Sequence, residues 1–101
     1  MSTSSEKRTR QIQTLMAKLA ALGPMRPGTL TVQYRDPASR RTPFNQLSYT
    51  HQSKSHSDYI RPEHLKAVRH EIAEYKRFRV LIDKIVSLSI QASRERMARA
   101  R

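Results

Sequence analysis

The residues best suited to chemistry in this sequence are its arginines. Fourteen Arg and six Lys stand against eight Asp and Glu, a formal charge of +12. Guanidinium groups form bidentate forks with phosphate and with guanine edges, so an Arg-dominated excess of this size points to a polyanionic partner. Outside the C-terminal tail the densest patch is Arg35, Arg40 and Arg41, in a segment carrying Pro37 and Pro43; the proline rings limit the entropy lost on docking. Gln33, Arg35, Asn45, Gln46, Ser48, Thr50 and Lys54 are expected on the solvent face of a sheet. Amides beside Arg and Lys on a β surface are the residue types with which sheets read a DNA groove. Arg94, Arg96, Arg99 and Arg101 would add non-specific affinity. Duplex DNA is favoured over RNA, because single strands need exposed aromatics and alternation assigns most of Tyr34, Phe44, Tyr49 and Tyr59 to the core.

No comparable case exists for catalysis. The acids are scattered; Glu71 and Glu74 are three apart but surrounded by Lys66, Arg69, His70 and Lys76, which suits solvated helix pairs better than acid–base work. Asp58 is a single carboxylate near Lys54, His56 and Tyr59. Two glycines, Gly23 and Gly28, cannot make a Gly-rich phosphate loop. The expectation is a protein that is not an enzyme and carries no cofactor.

With no cysteine there is neither a disulfide framework nor a thiolate metal site. Of the four histidines, His64 and His70 are six apart, outside the three-to-five spacing of helical zinc ligands. A His51, His56 and His64 cluster is conceivable, but polar surface histidines are the simpler reading, with no metal site. No apolar run approaches a membrane span, and residues 1–10 lack the apolar stretch of a signal peptide. A soluble cytoplasmic protein is expected, nucleoid-associated when bound to DNA, with no membrane contact.

The elements that must position these side chains form a single domain, 1–101, of α+β class. In residues 1–24, Ile12, Leu15, Met16, Leu19 and Leu22 follow the helical period. Ser4 or Ser5 caps this amphipathic helix, and Gly23-Pro24 stops it by a left-handed residue and a ring. In residues 25–61, Leu30, Val32 and Tyr34 alternate with polar residues, the period of a half-buried strand. Residues 36–43 read as a loop, 44–50 as a second strand, His51 to Lys54 as a turn without Gly, and 55–60 as a third strand: a three-stranded antiparallel sheet. Residues 62–101 form one long C-terminal helix opened by Pro62 and Glu63, with a basic tail that frays. Net charge is +3, +4 and +5 over the three segments, so it is spread rather than confined to a tail.

Between Phe78 and Ile90 the long helix is apolar on more than one side, and such a helix needs more than one partner. Phe78, Leu81, Ile82, Ile85, Val86 and Leu88 are therefore expected at an interface, most simply that of a homodimer. A different reading of the same surface is a protein-interaction module whose helix docks a partner such as a transposase. An RNA-binding or ribosome-associated role fits the charge and size as well.

Several short motifs carry a family resemblance. Met25-Arg26-Pro27-Gly28-Thr29-Leu30, Gln33-Tyr34, Gln46-Leu47-Ser48-Tyr49, Lys54-Ser55-His56, Ile60-Arg61-Pro62-Glu63-His64 and Tyr75-Lys76-Arg77-Phe78 resemble a family of short bacterial proteins of unknown function associated with transposases and mobile elements. The resemblance spans roughly residues 12–90 and implies the same order of helix, strands and long helix. Members of that family carry cysteines in the loop after the first strand; here that loop has none, and Arg40 and Arg41 stand in the region, with Thr42-Pro43-Phe44 at the strand entry. The resemblance thus implies this architecture, a mobile-element context and a basic loop where a metal-built one would be, but no agreed activity. It is the basic residues that lead to the expectation of a small DNA-binding accessory or regulatory protein.

Overall fold

The computed structural model describes residues 4–36, 38 and 41–99. Helix α1 (Ser4–Ala20) is followed by strands β1 (Thr29–Asp36), β2 (Arg41–His51) and β3 (Lys54–Ile60), a 3-10 turn at Pro62–His64, and helix α2 (Leu65–Arg99). This is the α+β order expected, with a meander sheet of order β1-β2-β3 and antiparallel pairing throughout. The chain divides into two units: residues 23–76, and α1 with the C-terminal part of α2 from Arg77.

In the sheet unit, Leu30 stands opposite Leu47 and Asn45 opposite Ile60, so one face gathers the large aliphatics. Leu47 is fully buried, and Ile60 and Val68 nearly so; Leu30, Tyr49, Leu65 and Ile72 pack around them. The core is thus one sheet face covered by the first turns of α2. Strand β2 is longer than the alternation suggested, since Thr42 and Pro43 belong to it. β3 ends at Ile60 opposite Asn45, so Pro43 has no β3 residue beside it. It therefore costs no ladder bond on that side.

Residues 21–28 tie the sheet unit's entry to α2. The expected left-handed stop at Gly23 does not occur; Gly28 is the one described glycine with positive φ, at 129°. The end of α1 is tightened instead by Ala21 and Leu22 donating to the carbonyls of Lys18 and Leu19, the three-residue bonds usual in a last turn. The Gly23 N–H donates to Glu74 Oε2 at 2.8 Å, and the Arg26 N–H to the Glu71 carbonyl at 3.1 Å. Glu74 is only 5% exposed, so the sequence expectation of a solvated Glu71/Glu74 pair gives way to a buried carboxylate that accepts a loop amide.

The β2–β3 turn is a two-residue one, and both Gln52 (φ 52°) and Ser53 (φ 65°) lie in the left-handed region. That geometry matches the right-handed twist of a hairpin but suits Asn-Gly best. Ser53→Gly should therefore relieve strain of about 0.5–1 kcal/mol net of the chain entropy that glycine adds. A thermal melt should shift up by about 4 °C; a lower melting point would show that the turn is not held in this form.

In the helical unit, buried and half-buried positions of α1 recur at Ser5, Arg8, Ile12, Leu15, Leu19, with Leu22 just beyond. In α2 they recur at Phe78, Leu81, Ile85, Leu88, Ala92 and Glu95. Both series step by three and four, the spacing of a helix–helix seam. Arg8 Nε donates to Glu95 Oε1 at 2.8 Å, and Leu15 shares a cleft with Leu88, so the two helices run antiparallel. Ser5 is 7% exposed inside α1 rather than at a capping position. Arg94, Arg96 and Arg99 lie within α2, and Arg101 lies outside the described residues.

Candidate nucleic-acid interface

Of the basic residues singled out from the sequence, Arg35 is exposed on β1, Lys54 is exposed at the start of β3, and Arg94, Arg96 and Arg99 are exposed on the last turns of α2. Arg40 and Arg101 lie outside the described residues. Arg41 opens β2 in register with Asp36, and its side chain is also outside what is described. The Arg35–Arg41 patch is therefore represented here by Arg35 alone.

The sheet divides the remaining polar candidates between its faces. Register places Gln33, Arg35, Gln46, Ser48 and Thr50 on the face opposite the core. Asn45 and Lys54 share the parity of Leu47 and belong to the other face, so the seven-residue reading surface expected from sequence does not form as one array. Asn45 stands opposite Val32 and Ile60, beside the core. Two of the four aromatics lie on the outer face. Phe44 is half-buried and Tyr59 is 58% exposed, with ring centroids 6.0 Å apart and planes tilted by 52°. Tyr34 and Tyr49 share the parity of Leu47 and stay on the core side, as alternation suggests.

The core-side edge holds a polar cluster that spacing in the sequence did not reveal. Arg26 Nη2 donates to Asp58 Oδ2 at 2.5 Å, and its guanidinium lies 4.9 Å from the centre of the Tyr49 ring. Tyr49 in turn stacks on His56 at 5.1 Å. Arg26, Tyr49 and His56 all come from the motifs that carry the resemblance. Their convergence gives those motifs a shared packing role, anchoring the entry loop against β2 and β3.

Charge is concentrated on the helical unit. Its segments carry eleven basic residues against three acids, +8, whereas residues 23–76 carry nine against five, +4. Nine of those eleven are exposed: Lys7, Arg10 and Lys18 on α1, and Arg77, Arg79, Lys84, Arg94, Arg96 and Arg99 on α2. Arg96 also shares a shallow cleft with Ser5, Glu6, Thr9, Arg10 and Gln13. Arg10 was not picked out in sequence, because helical periodicity within α1 says nothing about which α2 residue lies beside it.

The interface residues expected on α2 are largely used within the chain. Ile85 is 6% exposed, and Phe78, Leu81, Ile82 and Leu88 are half-buried. Only Val86 of that set is exposed, at 50%, in line with Ile90 at 47% and Met97 at 64%; Val80 is also exposed. Among the described residues no three His, Asp or Glu side chains are placed to hold a metal ion, so His51, His56 and His64 are not brought together. No described helix is long and apolar enough to cross a membrane. No family model, no curated protein and no solved structure matches this chain.

Proposed function

We propose that this chain is a small nucleic-acid-binding protein whose helical unit engages the phosphate backbone of duplex DNA. The observation that carries the reading is the exposed cationic surface of α1 and α2, with Arg10 and Arg96 on one cleft. These cations point to several sides of the two helices rather than forming one reading edge. Contacts of that kind position a protein on the duplex and carry little sequence information. An accessory role follows, for instance on the DNA of a mobile element, the context that the resemblance implies. The test is fluorescence anisotropy with a labelled 20-base-pair duplex at rising salt. Steeply salt-dependent binding is expected, and affinity that is flat with salt overturns the proposal.

A second reading rests on the stripe Val86, Ile90 and Met97, which recurs at helical spacing and leaves about half or more of each side chain exposed. A second copy of the chain, or a protein such as a transposase, would cover it. If the occupant is a second copy, light scattering at high salt, where the repulsion between cationic units is screened, should give twice the chain mass of 11.8 kDa. Val86→Glu with Ile90→Glu should return the monomer without unfolding it, since both side chains are about half exposed.

A further inference from the structure

The outer face of the sheet carries two aromatic rings that the core does not need. The opposite face already packs Leu47 and Ile60 beneath Leu65, Val68 and Ile72 of α2. Phe44 and Tyr59 sit on the far side, and Tyr59 keeps 58% of its surface in water. Their centroid distance of 6.0 Å and 52° tilt is an edge contact, which steadies both rings while leaving ring surface open for stacking.

The neighbours of these rings are chemically specific. Register sets Gln33 directly across from Phe44 and Gln46 directly across from Tyr59, so each ring has a side-chain amide beside it. Gln33 Nε2 donates to Thr31 Oγ1 at 3.1 Å, which leaves its carbonyl oxygen directed elsewhere. Arg35 follows Gln33 on the same face and is exposed. Rings that stack, amides that donate and accept, and a guanidinium for phosphate are what an unpaired nucleotide presents surfaces to. A duplex buries its base faces and offers nothing to such rings.

We infer that the outer face of the sheet, centred on Tyr59 and Phe44, is a stacking platform for the unpaired bases of single-stranded nucleic acid. The platform deepens the proposed function and rests on it: the helical cations hold backbone, and the sheet face takes bases where the strands are open. Positive charge on the chain favours this polyanionic occupant over a second copy of the sheet.

The experiment uses the full chain and three probes, labelled 12-mers of oligo(dT) and oligo(rU) and a blunt 12-base-pair duplex, with circular dichroism as a folding control. Tyr59→Ala should weaken binding to at least one single strand by about tenfold, the loss of one stacked base, and change duplex binding by less than about twofold. Tyr59→Phe should restore it, because the ring and not the hydroxyl stacks. Whichever of oligo(dT) and oligo(rU) loses more identifies whether the platform favours a DNA or an RNA strand. Unchanged affinity for both single strands, an equal loss on the duplex, or failure of Tyr59→Phe to restore binding overturns the platform, while duplex binding by the parent chain still supports the proposed function. Absence of binding to all three probes overturns the proposed function and the platform with it.

Discussion

Gly28→Ala should be the most damaging single substitution in the sheet unit, lowering the melting temperature by about 15 °C or more. Two independent costs meet at this residue. Its φ of 129° is a conformation that L side chains rarely adopt, and holding a non-glycine residue in such a region costs about 1–3 kcal/mol. A methyl group there would also stand 2.8 Å from Leu47 Cδ1, 2.8 Å from the Ser48 carbonyl oxygen and 3.1 Å from Tyr49 Cβ. None of these can give way easily. Leu47 is the fully buried centre of the core, and Ser48 is paired with Thr29 at the start of β1. Overpacking of this kind adds about 1–3 kcal/mol, so the sum is about 3 kcal/mol or more, and each kcal/mol moves the midpoint of a small domain by about 4–8 °C. Gly23→Ala is the control. Its added methyl meets only Glu74 Oε2, at 3.9 Å, and its φ is not positive. It should melt within a few degrees of the parent. If Gly28→Ala did the same, the entry to β1 would not be held as described.

The contrast between the two glycines also shows what sequence can and cannot say. Gly23-Pro24 looks like a helix stop and lies in the right place, yet the conformational freedom of Gly23 goes unused, because a buried Glu74 fifty-one residues away takes its amide. Gly28, which the resemblance motif contains, is the position where a side chain is excluded. Local pattern identifies breaks in structure; only packing decides which glycine is indispensable.

Element types were legible because their periods are strong. Ile12, Leu15, Leu19 and Leu22 repeat with the turn of a helix, and Leu30, Val32 and Tyr34 with the pleat of a strand. Parity was less legible. In β2 both parities carry apolar residues, Phe44 on one and Leu47 and Tyr49 on the other. Alternation therefore says which residues travel together but not which set is covered by α2. That choice put Phe44 and Tyr59 outside, while Asn45, two residues from Leu47, follows it to the core side and not its neighbour Gln46. The apolar excess of α2 leads sequence to expect more than one partner; within the chain the seam with α1 takes Leu81, Ile85 and Leu88. What remains exposed is Val80, Val86 and Ile90 inside the segment that sequence density marks, and Met97 beyond it.

Salt should separate the two modes of binding proposed for this chain. If about six of the exposed cations replace counterions on duplex DNA, the affinity should fall about a thousandfold between 50 and 200 mM salt, following a slope of about −0.9 per phosphate. Changing Arg94, Arg96 and Arg99 to Gln removes three exposed contacts. The slope should then be shallower by about 2.7, and the same salt interval should cost only about fortyfold. The fold should survive, since none of the three is buried; the loss of favourable charge at the C-terminal end of α2 amounts to about 1 kcal/mol or less per residue and is partly offset by weaker self-repulsion on a unit of charge +8. Tyr59→Ala supplies the opposite signature. Stacking releases no condensed counterions, so this variant should weaken single-strand binding by a similar factor at every salt concentration, with the slope unchanged. A triple variant that kept the parental slope would move the phosphate contacts away from the end of α2. A Tyr59→Ala variant that changed the slope would mean that its ring acts by positioning a cation rather than by receiving a base.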